Sequence, residues 1–489
     1  MTIQLYNTAT RTVEPFRPVV DGRVGIYVCG ATVQGAPHIG HMRSAVVFDQ
    51  LRRWLGYRGY DVTLVRNVTD IDDKILSKSV EEGRSWWAHA YHYEQVFTAA
   101  YDRMGVLRPS YEPRATGHIT EMVELISRLL EAGLAYEALD CSGDVYFAAS
   151  AWPEYGALTN QRLEDMSDAA DAPLRGKKDP RDFALWKAHK PADPESASWP
   201  TPWGRGRPGW HIECSAMSTK YLGAEFDIHG GGLDLRFPHH ENELAQSRAA
   251  GDPFARVWMH SGLLNVGGDK MSKSLGNSIF AHALFDRFPA ITVRYFLSTV
   301  HYRSVLEFSD GLVAQQQAAL ERFTNFLDRA RRLLGEDAPP VPEAAAGYRD
   351  RVVDVPDEFA AAMDEDLSIP RALAVAFDRV GEGNRQLETA GTAPDADTRA
   401  GLARIVAEIE LMLDILGVNP TSPVWASASA QDDAATRALD SLVSELAAER
   451  LAAKAEKDYA RADAIRDRLT AAGIAIEDTP GGFRWALAD

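Results

Sequence analysis

The order of strand and helix patterns near the N-terminus constrains the fold of this 489-residue chain more than any other feature. Residues 23–30 (RVGIYVCG) form a short apolar run that predicts a strand, residues 42–57 carry a helical pattern, and residues 61–70 (DVTLVRNVTD) predict a second strand. A strand–helix–strand unit implies a parallel sheet with a right-handed crossover, and therefore an α/β fold. Because such sheets bind ligands at the carboxyl ends of their strands, we expect the functional site there.

The pattern changes along the chain and predicts three parts. Residues of about 110–205 contain a helix and then a segment rich in Pro, Asp and Lys, which we interpret as an insertion into a catalytic domain spanning residues 1–309. Strand and loop patterns return between residues 210 and 277. Residues 310–420 are rich in Ala and predict a helical bundle, and residues 435–489 predict a small unit made of a helix and a strand pair.

The charge balance limits the partners that the surface as a whole can bind. The chain has 52 Lys and Arg against 70 Asp and Glu, a formal net charge of −18. This balance argues against broad, nonspecific binding to nucleic acid or to an anionic membrane, and it leaves room for a local basic track. Only three cysteines occur, and we find no secretory signal pattern and no apolar run long enough for a membrane span. We therefore expect a cytoplasmic protein without a membrane partner.

The segment Pro-His-Ile-Gly-His at residues 37–41 lies between the first strand and its helix. A helix N-terminus attracts phosphate, and His38 and His41 can donate hydrogen bonds to it there. Gly40 leaves room for a base or a ribose beside the backbone. Taken alone, the segment is equally compatible with a polar helix cap that carries two exposed histidines.

The segment Lys-Met-Ser-Lys-Ser at residues 270–274 follows a loop with two glycines. Lys270 and Lys273 suit a loop that closes over polyphosphate, although a solvated basic turn is the simpler interpretation of this segment alone. The two segments together, HIGH and then KMSKS more than 200 residues later, resemble the signatures of the class I aminoacyl-tRNA synthetases.

This resemblance implies a Rossmann-type catalytic domain that activates an amino acid with ATP and releases pyrophosphate. His38 and His41 would stabilise the pentavalent phosphate, with Gly40 in the ATP site. Lys270 and Lys273 would hold the leaving pyrophosphate, with Lys273 as the main ATP contact. Positioning and charge stabilisation would supply most of the catalysis. Mg²⁺ would accompany ATP, although the sequence shows no clear carboxylate cage for it.

A second group of residues has the donor chemistry of a zinc site. Cys29 ends the first strand, Cys214 lies in GWHIECSAM, and His239 and Glu243 lie in FPHHENE. Two thiols, an imidazole and a carboxylate suit tetrahedral Zn²⁺, and His239 and Glu243 would share one face of a helix. The residues alone leave open that the cysteines are small buried hydrophobes and that HHENE is a polar helix start.

Several blocks taken together resemble one family, the cysteinyl-tRNA synthetases. They are YVCG, PHIGH, RNVTDIDDKI, PGWHIECSAM, GGGLDLRFPHHENE and KMSKSLGN, with KDYARADAIRDRL and GIAIEDTPGGFRW near the C-terminus. The resemblance implies one Zn²⁺ per chain, held by Cys29, Cys214, His239 and Glu243. It also implies that the cysteine substrate contacts Thr69, Trp210 and Asp234.

The same resemblance implies a cysteine–tRNA ligase whose partners are L-cysteine, ATP and tRNA(Cys), and we expect it to be a monomer. Zinc would then explain how sulfur is distinguished from oxygen. Rejecting serine by about 10⁴-fold requires about 5.6 kcal/mol. A thiol ionises readily on zinc and forms a soft bond with it, whereas a hydroxyl is harder to ionise. No separate editing domain is then needed.

The C-terminal unit is the expected anticodon reader. A single helix over residues 449–469 would place five basic residues on one face, at steps of 4, 3, 4 and 7: Arg450, Lys454, Lys457, Arg461 and Arg468. Acidic residues interleave with them, so a solvated helix with salt bridges remains an alternative. After a Gly-Gly turn, Arg484 and Trp485 offer a guanidinium and a ring on which an unpaired base can stack.

Two other functions compete with this interpretation. A related ligase could use the same adenylate to acylate an amino-sugar thiol precursor, and it would share the catalytic half but resemble the tail poorly. A noncatalytic RNA-binding or zinc-sensing paralogue would carry a damaged HIGH or KMSKS segment, whereas both are intact here.

Overall fold

The structure is a computed structural model that describes residues 2–162, 164, 176–271, 278–344, 347–390, 394–425, 442–454, 458–479 and 482–487. The chain divides into two compact units, Met1–Ser422 and Pro423–Asp489. Among the residues described, no helix has the length and apolar character that crossing a membrane requires.

The elements are numbered in chain order. The strands are β1 (Gln4–Asn7), β2 (Thr12–Pro15), β3 (Arg23–Val28), β4 (Asp61–Arg66), β5 (Ala135–Glu137), β6 (Val145–Phe147), β7 (Phe183–Ala188), β8 (Trp199–Thr201), β9 (Gly204–Pro208), β10 (Glu225–Gly232), β11 (Phe254–Ser261), β12 (Leu264–Val266), β13 (Asp269–Lys270), β14 (Leu306–Phe308), β15 (Ile474–Thr479) and β16 (Gly482–Leu487). The helices are α1 (Ile39–Tyr57), α2 (Asp73–Glu81), α3 (Trp86–Arg103), α4 (Ile119–Glu131), α5 (Trp210–Leu222), α6 (Glu241–Ala249), α7 (Ala281–Phe285), α8 (Ala290–Ser298), α9 (Asp310–Leu334), α10 (Asp357–Asp364), α11 (Ile369–Ala390), α12 (Ala396–Leu416), α13 (residues 442–454) and α14 (Tyr459–Ala471).

A four-stranded parallel sheet in the order β11-β10-β3-β4 organises the first unit. The predicted strand–helix–strand unit is confirmed as β3, α1 and β4, with α1 beginning at Ile39 rather than at residue 42. β3 pairs with β4 on one side and with β10 on the other, so the chain changes direction across the sheet between β3 and β10. At such a switch point the carboxyl ends of the strands leave a crevice in which a ligand can bind.

The insertion contains a sheet that the sequence does not predict. β5 to β9 form an antiparallel sheet in the order β5-β6-β7-β9-β8, spanning Ala135 to Pro208. β8 and β9 carry Pro and Gly residues that normally argue against a strand. Pro200 is tolerated because it lies on β8, at the edge of the sheet.

The prediction of strand and loop for the segment that starts at Trp210 is wrong over its first thirteen residues, which form α5. Eight consecutive residues of this helix, from His211 to Ser218, are buried. A helix that is buried on all sides lacks the 3.6-residue alternation of polar and apolar residues by which helices are recognised.

The helical prediction beyond residue 309 is confirmed by α9 to α12. Ser309 caps α9 by accepting a hydrogen bond from the amide of Leu312 (3.2 Å), and Asp395 caps α12. α12 ends at Gly417, whose left-handed backbone (φ 73°) suits glycine. The composition of residues 389–400 predicts a linker, but α11 extends to Ala390 and α12 begins at Ala396.

In the second unit, the predicted helix with strand pair is confirmed by α14, β15 and β16, but the single basic face is wrong. Asp458 lies outside any helix and caps α14 by accepting from the amide of Arg461 (3.1 Å), so the helical pattern is interrupted. Arg450 is buried, and Arg461 pairs with Glu449 at 2.9 Å. Lys457 lies outside the described residues.

Two glycines of α11 provide a test of packing in the bundle. A Cβ on Gly383 would lie 2.3 Å from Cζ of Phe326, whereas the nearest atom to a Cβ on Gly381 is 3.9 Å away. We expect Gly383→Ala to lower the free energy of unfolding by about 1–3 kcal/mol through overpacking. Gly381→Ala should raise it by up to about 1 kcal/mol through helix propensity. Denaturant unfolding of both variants checks this, and equal shifts would contradict it.

Candidate active site and metal centre

A cleft of about 390 Å³ opens at the carboxyl ends of the parallel strands. Cys29 and Gly30 after β3, Gly232 at the end of β10 and Ser261 at the end of β11 all line it. The start of α1 forms another wall, so the N-terminus of this helix and the strand ends share one cavity.

The two histidines of the HIGH segment are stacked at the entrance of α1. Their rings lie 3.6 Å apart between centroids, and the backbone amide of His38 donates to Nδ1 of His41 (3.1 Å). The ring of His41 also packs edge-on against Phe97. His38, His41 and Gly40 all line the cleft, where the positive end of the α1 dipole favours an anion.

The residues that flank the KMSKS segment meet the HIGH segment. The amide of Ile39 donates to the carbonyl of Ile279 (2.9 Å), and the amide of Ala281 donates to the carbonyl of Pro37 (2.9 Å). Met271, the second residue of the segment, lines the cleft. Lys273 and the side chain of Lys270 lie outside the described part of the chain; the backbone of Lys270 pairs in β13.

The fold brings together all four predicted zinc ligands. Cys29 follows β3, Cys214 lies in α5, Glu243 lies in the first turn of α6, and His239 directly precedes that helix. All four are buried, and their ligand atoms lie within 4.8 Å of one another. Oε1 of Glu243 is 3.0 Å from Nε2 of His239 and accepts from the Cys29 thiol at 3.3 Å.

The charges of this cluster favour a bound cation. Although burial opposes ionisation, the imidazoles of His229 and His239 hold the pKa of Glu243 well below its usual range. Despite burial, hydrogen bonds with Cys29 and His239 lower the pKa of the Cys214 thiol to about 6. Glu243 and Cys214 in turn overcome the effect of burial and raise the pKa of His239 to about 10. The Glu243 carboxylate and the Cys214 thiolate are thus partly neutralised by the proton on His239, and a divalent cation can replace that proton.

The donor set therefore fits zinc, whose usual protein ligands are thiolate, imidazole and carboxylate. Nδ1 of His211 lies 2.9 Å from Nδ1 of His239. This contact holds the second ring nitrogen of His239, as an outer partner of a metal-binding histidine usually does, and leaves Nε2 facing Glu243 inside the cluster.

Further buried histidines surround the cluster, and the sequence interpretation assigned none of them as a ligand. Nε2 of His229 lies 3.1 Å from Glu243 and 3.4 Å from the Cys29 sulfur. Nδ1 of His240 lies 2.8 Å from Nε2 of His260. The signal of His229 and His260 in the sequence is weak, because each is a single imidazole in an otherwise apolar or glycine-rich segment. His240 directly follows a predicted ligand in the polar segment FPHHENE.

The three predicted substrate contacts differ in their position. Trp210 and Asp234 line the cleft, and the Trp210 ring stacks on His239 with centroids 4.1 Å apart. Thr69 is buried, and its hydroxyl donates to Oε2 of Glu213 (2.8 Å), the residue before Cys214. Thr69 thus supports α5 from behind the cleft wall.

The fold resembles that of solved class I synthetases. The structure of Mycobacterium tuberculosis methionyl-tRNA synthetase in complex with methionyl-adenylate superposes with a TM-score of 0.55 at 18% sequence identity. The match covers 81% of this chain and 90% of that chain. At this identity the likeness concerns the fold alone, and it confirms the predicted Rossmann-type architecture.

Three family models match the chain in order. Residues 15–318 match the tRNA synthetases class I (C) catalytic domain, and residues 358–418 match the DALR domain. Residues 436–485 match the cysteinyl-tRNA ligase anticodon binding domain.

Curated relatives match over the whole chain. The cysteine–tRNA ligase of Clavibacter michiganensis subsp. michiganensis is 59% identical, covering 100% of this chain and 99% of that protein. The cysteine–tRNA ligase of Cutibacterium acnes is 52% identical, covering 100% of this chain and 97% of that protein. The resemblance inferred from the motifs is confirmed: the chain belongs to the cysteinyl-tRNA ligase family of class I tRNA synthetases.

Proposed function

We propose that the chain is a cysteine–tRNA ligase that converts L-cysteine and ATP to cysteinyl-adenylate and pyrophosphate, and then transfers cysteine to the 3′-terminal adenosine of tRNA(Cys). The family membership supports this activity over the full chain. The observation that carries the proposal is the shared cleft, because one cavity holds both the HIGH histidines and Cys29 of the thiol-rich cluster.

In the first step the substrate carboxylate attacks the α-phosphorus of ATP, and pyrophosphate leaves. His38, His41 and the positive end of the α1 dipole stabilise the charge that builds up on the phosphorus oxygens. Lys270 and Lys273 are assigned to the leaving pyrophosphate, which Mg²⁺ accompanies. The chain contributes little covalent chemistry, since orientation of the two substrates lowers most of the barrier.

In the proposed enzyme one Zn²⁺ per chain is held by Cys29, Cys214, His239 and Glu243. When bound, zinc supplies a soft Lewis acid that favours a substrate thiolate over a hydroxyl. Trp210 covers the His239 ring and walls the pocket beside it. Asp234 is exposed in the same cleft and is assigned to the polar end of the substrate. Thr69 is assigned a supporting role, through the hydrogen bond that its hydroxyl donates to Glu213.

The match of residues 436–485 to an anticodon binding domain favours tRNA over an amino sugar as acceptor. We also propose that the protein is cytoplasmic, because its three cysteines are too few for a disulfide framework, and that it is a monomer.

Removal of one thiol tests the metal site. We expect one zinc per purified wild-type chain and a Cys214→Ala protein with little zinc, because the cluster loses a thiolate ligand. Cysteine-dependent ATP–pyrophosphate exchange should fall at least about 10²-fold. Cys141 is exposed and outside the cluster, so Cys141→Ala is the matched control. A folded Cys214→Ala protein with full zinc and normal exchange would refute the metal assignment.

Two glycines of the cleft test the nucleotide site. A Cβ on Gly40 would lie 3.1 Å from the His38 ring and 3.2 Å from Cε of Met271, whereas a Cβ on Gly35 would meet no atom within 4 Å. We expect Gly40→Ala to raise the KM for ATP about tenfold, equivalent to about 1.4 kcal/mol. Gly35→Ala should leave it unchanged. Exchange assays at varied ATP measure both values, and an unchanged KM in Gly40→Ala would remove Gly40 from the ATP site.

Deletion of the second unit, residues 423–489, tests its role in tRNA recognition. We expect ATP–pyrophosphate exchange to persist and charging of tRNA(Cys) to fall at least about 10²-fold, because the tRNA then loses its anticodon contacts. The exchange rate of the same truncated protein controls for folding of the catalytic part. Charging that survives the deletion intact would contradict an anticodon role.

A further inference from the structure

A buried network of charged side chains lies on α1, further along the helix than the HIGH segment. The carboxylate of Asp49, 1% exposed, accepts from Nε of Arg53 (2.8 Å), from Nη2 of Arg294 and from the amide of Leu107 (2.8 Å). Although burial raises it, the two guanidinium groups bring the pKa of Asp49 down to about 2. Asp49 is therefore ionised at any pH at which the enzyme works.

The network also binds the last turn of α12. The carbonyl of Asp414 accepts from Nη1 of Arg53 (2.9 Å), and the carbonyl of Leu416 accepts from Gln50 (3.0 Å) and from Arg294 (3.3 Å). The last carbonyls of a helix have no partner within the helix, and cations are favoured beside them. α1 and α8 thus supply the C-terminal cap of a helix that belongs to the bundle.

Arg294 has no room to move within this network. Its Nη1 donates to the carbonyls of Met104 (3.1 Å) and Gly105 (3.0 Å), and its side chain is fully buried. A Cβ on Gly417 would lie 1.9 Å from Nη2 of Arg294. Backbone from two separate segments, residues 104–105 and 416–417, therefore fixes the guanidinium that holds Asp49.

The same helix carries the HIGH histidines at its other end. α1 is continuous from Ile39 to Tyr57, and Asp49 follows His41 by eight residues, about 12 Å along the axis. A helix transmits a shift or a rotation along its length, and a displacement of about 1 Å at a reacting group can cost about 10² in rate.

We propose that Asp49, Arg53 and Arg294 are positioning residues for adenylate formation, which hold His38 and His41 in place by fixing α1 against the end of α12. The inference rests on the proposed function, because it assigns the two histidines to the phosphate. The network lies outside the residues that line the cleft, so its loss lowers kcat and leaves the KM values unchanged.

The first experiment compares Asp49→Asn with Arg331→Gln in the full-length protein. Arg331 in α9 pairs with Glu410 in α12 at 2.6 Å. This pair does not belong to the network on α1, so Arg331 is the matched control for a lost ion pair. We expect Asp49→Asn to lower kcat of ATP–pyrophosphate exchange 10- to 100-fold, with both KM values within about twofold. Arg331→Gln should lower the melting temperature but keep kcat within about twofold. An unchanged kcat in folded Asp49→Asn, or an equal loss in the control, overturns the proposal.

Arg294→Lys and Arg294→Gln provide the test if Asp49→Asn does not fold. Lysine keeps the charge beside Asp49 but loses the fork that reaches several carbonyls at once. We expect Arg294→Lys to recover part of the kcat that Arg294→Gln loses. Equal kcat values in the two variants, at equal stability, overturn the positioning role.

A double-mutant cycle separates this proposal from the proposed function. If Asp49 acts through the HIGH histidines, adding Asp49→Asn to His41→Asn should lower kcat by no more than about twofold, although each change alone lowers it strongly. Losses that multiply overturn the positioning role and leave the assignment of His41 intact. An unchanged kcat in His41→Asn alone overturns that assignment, and the positioning proposal with it.

Discussion

The balance of charge around one buried carboxylate holds the site together. Glu243 is fully buried, and it contacts Cys29 after β3, His229 in β10 and His239 before its own helix. An isolated carboxylate at this depth would be prohibitively costly, so these segments must meet for the sheet and α6 to pack. The folding requirement and the metal chemistry therefore select the same residues.

The cleft combines two ways of stabilising negative charge. At one end, the start of α1 offers the positive end of the helix dipole and two stacked imidazoles. At the other end, the cluster of thiols, imidazole and carboxylate suits a soft cation. Both depend on the switch point between β3 and β10, which places the ends of these strands in one cavity. The fold thus sets the distance between the start of α1 and the cluster of metal ligands, which a small substrate must span.

Local patterns allowed much of this to be predicted, and long-range pairing limited the rest. β3, α1 and β4 follow from apolar runs and periodicity, and the family resemblance identified the four clustered ligands. α5 was missed because a helix buried on all sides shows no regular alternation of polar and apolar residues. β8 was missed because it contains Pro200. The ion pair between Asp49 and Arg294 joins residues 245 positions apart in the sequence, and no local pattern predicts such a pair.

The hydrogen bonds that Ile279 and Ala281 make with the HIGH segment join the start of α1 to the chain that follows the KMSKS segment. A displacement of that chain therefore reaches the start of α1 through two backbone hydrogen bonds, and the two parts of the sequence cannot move independently at this point.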